Sequence, residues 1–127
     1  MAAVVHLDTH VVVWLYVGDR KRLGPVERHM QGRRLVVSPM VLVELEFLHE
    51  IGRITARAHQ IVGQLNQSVE LTVSAFPFLD VAKVALELAW TRDPFDRLIA
   101  AQAMAEGVPL LSADERLRAH CPWALWG

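Results

Sequence analysis

Four acidic residues occupy positions where a folded chain could use them for chemistry. Asp8 closes an apolar run, AVVHLD, and Asp114 shortly follows another, VPLLS. Glu44 and Asp96 lie in helical patterns with apolar neighbours three and four positions away. For any one of them alone, an ion pair with an arginine is the ordinary explanation of a buried acid. Together, the four indicate one shared acidic cleft.

The stretch TRDPFDRLIAAQA, residues 91–103, contains two aspartates that the pattern treats differently. Asp93, followed by proline, is typical of a helix N-cap, and Arg97 four residues on offers it an exposed ion pair. Asp96 projects along the apolar, small-residue stripe of the same helix, where an unpaired carboxylate is costly to bury. Capping therefore explains Asp93 and leaves Asp96 in need of a positive partner.

A divalent cation would satisfy the four acids together. Carboxylates gathered in a cleft raise one another's pKa and destabilise the fold unless a cation compensates. Oxygen ligands of this kind select Mg²⁺, with Mn²⁺ as a substitute. Zinc is less well supported, because the six histidines show no HExxH spacing and Cys121 is the single cysteine. The sequence thus predicts a magnesium site.

Short β-branched runs alternate with helical patterns along the chain. The predicted strands are residues 3–8, 34–38, 69–74 and 108–112, with an edge strand in PWALWG as an option. The predicted helices are one after Asp8 through Trp14, then 24–30, 39–52, 55–66 with Thr55 as its cap, 77–90, 93–107, and ADERLRAH. This alternation predicts the α/β class, as a three-layer α/β/α sandwich with a mostly parallel central sheet. Ligands of such sheets bind beyond the carboxyl ends of the strands, where Asp8 and Asp114 fall.

Length and composition predict one domain, residues 1–127. The chain is 53% hydrophobic and 21% charged, as in ordered globular proteins. One cysteine excludes an internal disulfide framework and fits a reducing compartment. No apolar run approaches the roughly 20 residues of a membrane span, and the start has no signal-like leader. We therefore expect a cytoplasmic protein with no membrane association.

The charge is unevenly distributed. A net charge of −1 argues against coating of nucleic acid through bulk positive charge. Arginine forks can nevertheless bind phosphates locally, although a solvated surface is the favoured explanation on charge alone. Core or dimer packing explains the four tryptophans better than base stacking does. Most of the basic residues fall into two groups. One group lies in a single short region and consists of Arg20, Lys21, Arg22, Arg28, Arg33 and Arg34, and the other flanks the later acids and includes Arg92 and Arg97.

The motifs resemble those of PIN-domain ribonucleases, and within them the VapC-like toxins of bacterial type II toxin–antitoxin pairs. VHLDTHVVVWL is similar to the family's opening strand, SPMVLVELEFL to its glutamate-bearing helix, RDPFDRLIAAQA to its third motif and LLSADERL to its fourth. The resemblance covers nearly the whole chain. One departure is Val41, where the family often has Ser or Thr a turn before the glutamate.

The resemblance implies a Mg²⁺-dependent endoribonuclease whose products carry 3′-hydroxyl and 5′-phosphate ends. It implies an acidic core of Asp8, Glu44 and Asp96, with Asp114 as a fourth metal ligand and Thr9 and Ser112 as polar supports. Asp93 becomes auxiliary and mainly a cap, while Arg92 and Arg97 are the arginines nearest in sequence for RNA.

The resemblance also implies a homodimer and a small antitoxin that occupies an apolar groove. Trp14, Leu15, Phe47 and Leu48 are groove candidates that burial in the core would explain as well. Two other functions stay open. The first is a non-catalytic PIN-like module that only binds protein. The second is a flap-type DNA nuclease, for which the chain lacks the extra length that threads the substrate.

Overall fold

The computed structural model describes residues 3–127 and has a parallel sheet at its centre. The strands are β1 (Val4–Leu7), β2 (Arg34–Val37), β3 (Thr72–Val73), β4 (Leu110–Leu111) and β5 (Ala124–Leu125). Their order is β3-β2-β1-β4-β5, and every pairing is parallel. The predicted α/β/α class and the optional edge strand are therefore confirmed.

Eight helices connect and cover the strands in the described part of the chain. They are α1 (Thr9–Val17), α2 (Arg20–Leu23), α3 (Glu27–Met30), α4 (Pro39–Glu50), α5 (Ala58–Val69), α6 (Phe78–Ala85), α7 (Pro94–Glu106) and α8 (Glu115–His120), with a 3₁₀ turn at Gly24–Val26. No helix within residues 3–127 is both long and apolar enough to cross a membrane.

The sheet forms the core because helices cover both of its faces. Val5 and Leu7 of β1, Val37 of β2 and Leu111 of β4 are fully buried. Since all strands run the same way, their carboxyl ends share one edge. Two helices, α1 and α8, begin just past that edge, after β1 and β4.

Helix α5 begins later than predicted. It starts at Ala58, and the expected cap at Thr55 is wrong. The Glu46 carboxylate of α4 accepts the Ala58 N–H at 3.1 Å and is held by the Arg57 guanidinium at 2.7 Å. The helix also continues to Val69, so β3 is limited to two residues.

Helix α6 ends earlier than predicted, at Ala85 instead of near Trp90. Arg97 of α7 satisfies the carbonyls at this end, donating from Nε to Ala85 O at 2.7 Å and from Nη2 to Leu86 O at 3.4 Å. The expected ion pair between Arg97 and Asp93 is therefore wrong.

The other predicted boundaries lie within three residues of those in the structure. Helix α1 continues past Trp14 to Val17, and the single helix expected at 24–30 is divided between the 3₁₀ turn and α3, with α2 preceding them. These short segments are separate because Gly24 and Pro25 interrupt the helical pattern.

Candidate active site

One pocket of about 230 Å³ is lined by Asp8, Glu44, Asp96 and Asp114. Asp8 is the N-cap residue of α1, directly after β1, and Asp114 is the N-cap residue of α8, shortly after β4. Glu44 lies in the middle of α4, and Asp96 in the first turn of α7. Four elements distant in sequence thus present carboxylates to one space.

Asp8 is buried and held from both sides. Its Oδ1 accepts the N–H of Thr9 at 2.8 Å, and its Oδ2 accepts the hydroxyl of Ser112 at 2.6 Å. Ser112 Oγ in turn accepts the N–H of Asp114 at 3.2 Å. Ser112 therefore couples the acid after β1 to the acid after β4.

Glu44 is oriented by Thr9, whose hydroxyl donates to Glu44 Oε1. Thr9 thus contacts both Asp8 and Glu44, through its backbone N–H and its side chain respectively. Burial raises the pKa of Glu44; the Thr9 hydrogen bond opposes this, and the charges of Asp8 and Asp93 add to it. Thr9 thus fixes the position of the Glu44 carboxylate, while burial and the neighbouring acids disfavour its charged form.

Asp96 carries the largest electrostatic strain of the four acids. Burial contributes most, followed by the charges of Asp93, Asp8, Asp114 and Glu44 in that order, and together they raise its pKa from an ordinary 3.8 to about 7. Within residues 3–127, no arginine or lysine nitrogen lies within 4.0 Å of the four pocket carboxylates. The ordinary explanation, an arginine for each acid, does not hold here.

Asp93 stands outside this pocket and acts as a cap. Its Oδ1 accepts the N–H of Phe95 at 2.8 Å and of Asp96 at 3.3 Å, with Pro94 as the first helical residue. The predicted cap is confirmed. Its charge still raises the pKa of Asp96 because the two residues share the first turn of α7.

The two arginines expected near RNA differ in how many of their N–H groups are already hydrogen-bonded within the protein. Arg92 is exposed, and no polar contact of its guanidinium is recorded among the described residues. Arg97 is partly buried, and its guanidinium donates hydrogen bonds to the carbonyls at the end of α6. Arg97 has fewer donors left for a phosphate than its position in the sequence suggested.

His10 is a pocket residue that sequence reasoning missed. Its Nε2 accepts the N–H of Ala113 at 2.8 Å, so the ring proton resides on Nδ1, which lies 3.6 Å from Asp8 Oδ2. The ring packs against Trp14 with centroids 4.9 Å apart. His10 thereby holds the loop that presents Asp114. The only sequence signal was its position two residues after Asp8.

His6 of β1, two residues before Asp8, makes its polar contact with another acid, Glu106. It is fully buried, and its Nε2 lies 3.2 Å from Oε2 of Glu106 in α7. Glu106 also accepts hydrogen bonds from Ser74 at 2.7 Å and Gln102 at 3.0 Å. Burial lowers the pKa of His6, and this second polar cluster contains none of the four pocket acids.

The groove candidates are divided between surfaces. Trp14 and Leu48 form an apolar wall of the acidic pocket with Val13 and Ile54, whereas Leu15 lines a different pocket. Phe47 is 43% exposed and packs against Phe95 with ring centroids 5.6 Å apart. One side of the pocket is thus acidic and the other apolar.

The donor set fits a hard divalent cation that keeps much of its water. All four groups are carboxylates, the ligands that Mg²⁺ and Mn²⁺ prefer. No group of three or more His, Cys, Asp or Glu side chains between residues 3 and 127 is arranged as a ready-made ligand cluster. Mg²⁺ does not need one, because it commonly takes one or two carboxylates directly and retains several waters.

A model of the PIN domain matches residues 5–121. The chain belongs to the PIN-domain family. This PIN domain is 34% identical over 120 residues to Ribonuclease VapC22 of Mycobacterium tuberculosis, and the match covers 91% of each chain. The family resemblance inferred from the motifs is confirmed.

Solved structures show the same fold. The VapBC2 complex of Rickettsia felis bound to a promoter DNA fragment contains a chain that matches with a TM-score of 0.64 at 19% identity, covering 98% of this PIN domain and 99% of that chain. A DNA-bound VapBC of Salmonella typhimurium matches with a TM-score of 0.67 at 18% identity, covering 96% and 95%.

Proposed function

We propose that this PIN domain is a Mg²⁺-dependent endoribonuclease, with Mn²⁺ able to replace Mg²⁺. The observation that carries the proposal is the pocket formed by Asp8, Glu44, Asp96 and Asp114, which no arginine or lysine of residues 3–127 neutralises. Such a cluster is unfavourable by itself and becomes favourable around a divalent cation. The ribonuclease activity named for the 34% identical relative supports the choice of reaction.

The four acids would hold the ion, and the ion would supply a water of lowered pKa and charge stabilisation at the phosphodiester. Other residues of the chain hold the carboxylates in place. Thr9 and Ser112 fix the carboxylate oxygens of Glu44 and Asp8, and Trp14 lies on the apolar side of the same pocket. Asp96, whose pKa burial and the neighbouring carboxylates raise to about 7, would hold the ion in its deprotonated form.

Cleavage of total cellular RNA by the purified protein tests this proposal. We expect cleavage with Mg²⁺ or Mn²⁺ and none in chelator. Asp8→Asn, which keeps the shape of the side chain, should abolish cleavage while the protein stays folded. Asp80→Asn is the matched control, because Asp80 is an exposed acid in the first turn of α6.

Two results would overturn the proposal. One is cleavage that persists in chelator, and the other is equal cleavage by wild type and Asp8→Asn. Absence of all cleavage by a folded, Mg²⁺-loaded wild type would favour the non-catalytic PIN-like binding module. Preferential cleavage of branched DNA would favour the flap-type nuclease.

We also propose that this protein is the toxin of a type II toxin–antitoxin pair, bound by a small antitoxin protein. The similarity in fold to chains of two VapBC complexes supports this partner. A homodimer in the cytoplasm, built from one domain spanning residues 1–127, completes the proposal. Co-expression with the product of an adjacent small reading frame, followed by light scattering of the purified complex, tests the partner and the dimer together.

A further inference from the structure

Residues 19–34 concentrate the positive charge of the chain. They contain six basic and two acidic residues, a net charge of +4, whereas the whole chain has −1. The remainder of the chain therefore carries −5. This contrast within one small domain is larger than a uniformly mixed, solubilising surface requires.

Most of these basic side chains have no carboxylate partner within the described residues 3–127. The residues here called the basic patch are all exposed: Arg20, Lys21, Arg22, Arg28, Arg33 and Arg34. Arg22 pairs weakly with Asp19 at 3.7 Å, and Arg28 donates to the carbonyl of Gly127 at 2.7 Å. For the other four, no carboxylate oxygen of residues 3–127 lies within 4.0 Å.

The basic patch approaches the acidic pocket at one residue, Arg22, whereas Arg34 begins β2 at the opposite edge of the sheet. The Arg22 guanidinium lies 5.4 Å from the ring centroid of Trp14, which lines that pocket. At the far end of α1, Arg20 and Arg33 line a separate pocket of about 490 Å³. Trp14 of α1 lines the acidic pocket and the next residue, Leu15, lines the other, so α1 contributes to both.

We infer that the basic patch binds the phosphodiester backbone of an RNA whose scissile phosphate lies in the acidic pocket. This inference rests on the proposed ribonuclease function and adds a docking surface to it. A polyanion approaching the four carboxylates is repelled, and the remainder of the chain is acidic as well. Binding energy for RNA must come from cations, and exposed guanidinium groups without carboxylate partners bind phosphates through two parallel N–H bonds.

A salt titration of RNA binding tests the inference. The probe is a fluorescein-labelled RNA hairpin, and Asp8→Asn in every protein prevents its cleavage during the anisotropy measurement. The test variant is Arg20→Gln with Arg34→Gln. The control is Lys83→Gln with Gln60→Glu, which removes the same net charge from exposed positions on α6 and α5.

Each lost phosphate contact should reduce the slope of log affinity against log salt by about 0.7 to 0.9. For two contacts we expect a Kd about 25- to 60-fold higher at 0.1 M salt and nearly unaltered at 1 M. The control variant should change the Kd less than threefold. With Asp8 intact, the test variant should show a raised KM for the hairpin and a kcat within about twofold of wild type.

Equal salt slopes for the test and control variants would overturn the inference. It would also be overturned if a labelled poly-glutamate peptide bound in a patch-dependent way while the RNA did not, since the patch would then serve an acidic protein. The binding measurement needs no catalysis. A chain that binds RNA through the patch but never cleaves it would contradict the proposed function and leave the docking surface in place.

Discussion

Replacing Asp96 by asparagine should stabilise the metal-free protein at neutral and alkaline pH. Asparagine keeps the shape of the side chain and removes its charge from a pocket that contains three other acids. Burial, the charge of Asp93 and the charges of these three acids raise the pKa of Asp96 from an ordinary 3.8 to about 7. Between these two values the folded protein holds a proton that the unfolded chain releases, so the stability of wild type falls as pH rises from 4 to 7 and then levels.

The size of the effect follows from that pKa. Each tenfold change in acid dissociation corresponds to about 1.4 kcal/mol, so full burial would give about 4 kcal/mol. Asp96 is partly exposed, and solvent screening reduces the expected difference to about 2 kcal/mol. The advantage of Asp96→Asn over wild type should therefore grow by about 2 kcal/mol between pH 4 and pH 8.

Urea unfolding in chelator, followed by tryptophan fluorescence, measures this difference. Asp80→Asn is the control, because Asp80 is exposed and its variant should keep a constant offset from wild type across the same pH range. Added Mg²⁺ should narrow the gap at pH 8 by stabilising only the wild type. An Asp96→Asn advantage that stays the same from pH 4 to pH 8 would refute the electrostatic reasoning.

Substitutions at three further positions test single contacts. Asp93→Ala should lower the free energy of unfolding by about 1 kcal/mol through loss of the α7 cap, and a urea midpoint equal to wild type would contradict it. Glu46→Ala should lower the urea midpoint and speed amide exchange at Ala58, whereas protection at Ala58 as in wild type would argue against this cap. His10→Phe, which keeps an aromatic ring but offers no acceptor, should speed amide exchange at Ala113 and slow RNA cleavage. His10→Gln should restore both, and failure of this rescue would mean that the ring, not the acceptor, matters.

Much of the fold could be predicted because its signals are local. The runs that became β1 and β2 are short, β-branched and apolar, as buried parallel strands are. The cap at Asp93 followed from its own side chain and the proline after it. Where one segment contains all the determinants of its structure, the pattern was sufficient.

The errors arose where a distant side chain decides the local structure. The start of α5 depends on Glu46, and the end of α6 depends on Arg97, which lies in another helix. Neither contact has a periodic signature. Propensity alone therefore placed these two boundaries three to five residues away from where tertiary hydrogen bonds put them.

The candidate site shows the same division. That Asp8 and Asp114 would meet could be predicted, because parallel strands bring their carboxyl ends to one edge of the sheet. Glu44 and Asp96 lie in helices, and their apolar neighbours in the sequence were the reason to assign them to the same cleft. The contacts that support them could not be predicted from spacing, since Ser112 and Asp8 are 104 positions apart, and His10 and Ala113 are 103 apart. The resemblance to a family named Thr9 and Ser112, and it gave no indication of His10.

Binding of Mn²⁺, followed by the loss of its free electron paramagnetic resonance signal, tests the metal site most directly. Wild type should take up Mn²⁺ with saturation, Mg²⁺ should compete for the same site, and Asp80→Asn should behave as wild type. Asp8→Asn and Asp96→Asn should each bind at least tenfold more weakly. Unaltered Mn²⁺ binding in both pocket variants, or no binding by the folded wild type, would contradict the assignment of these carboxylates to a metal.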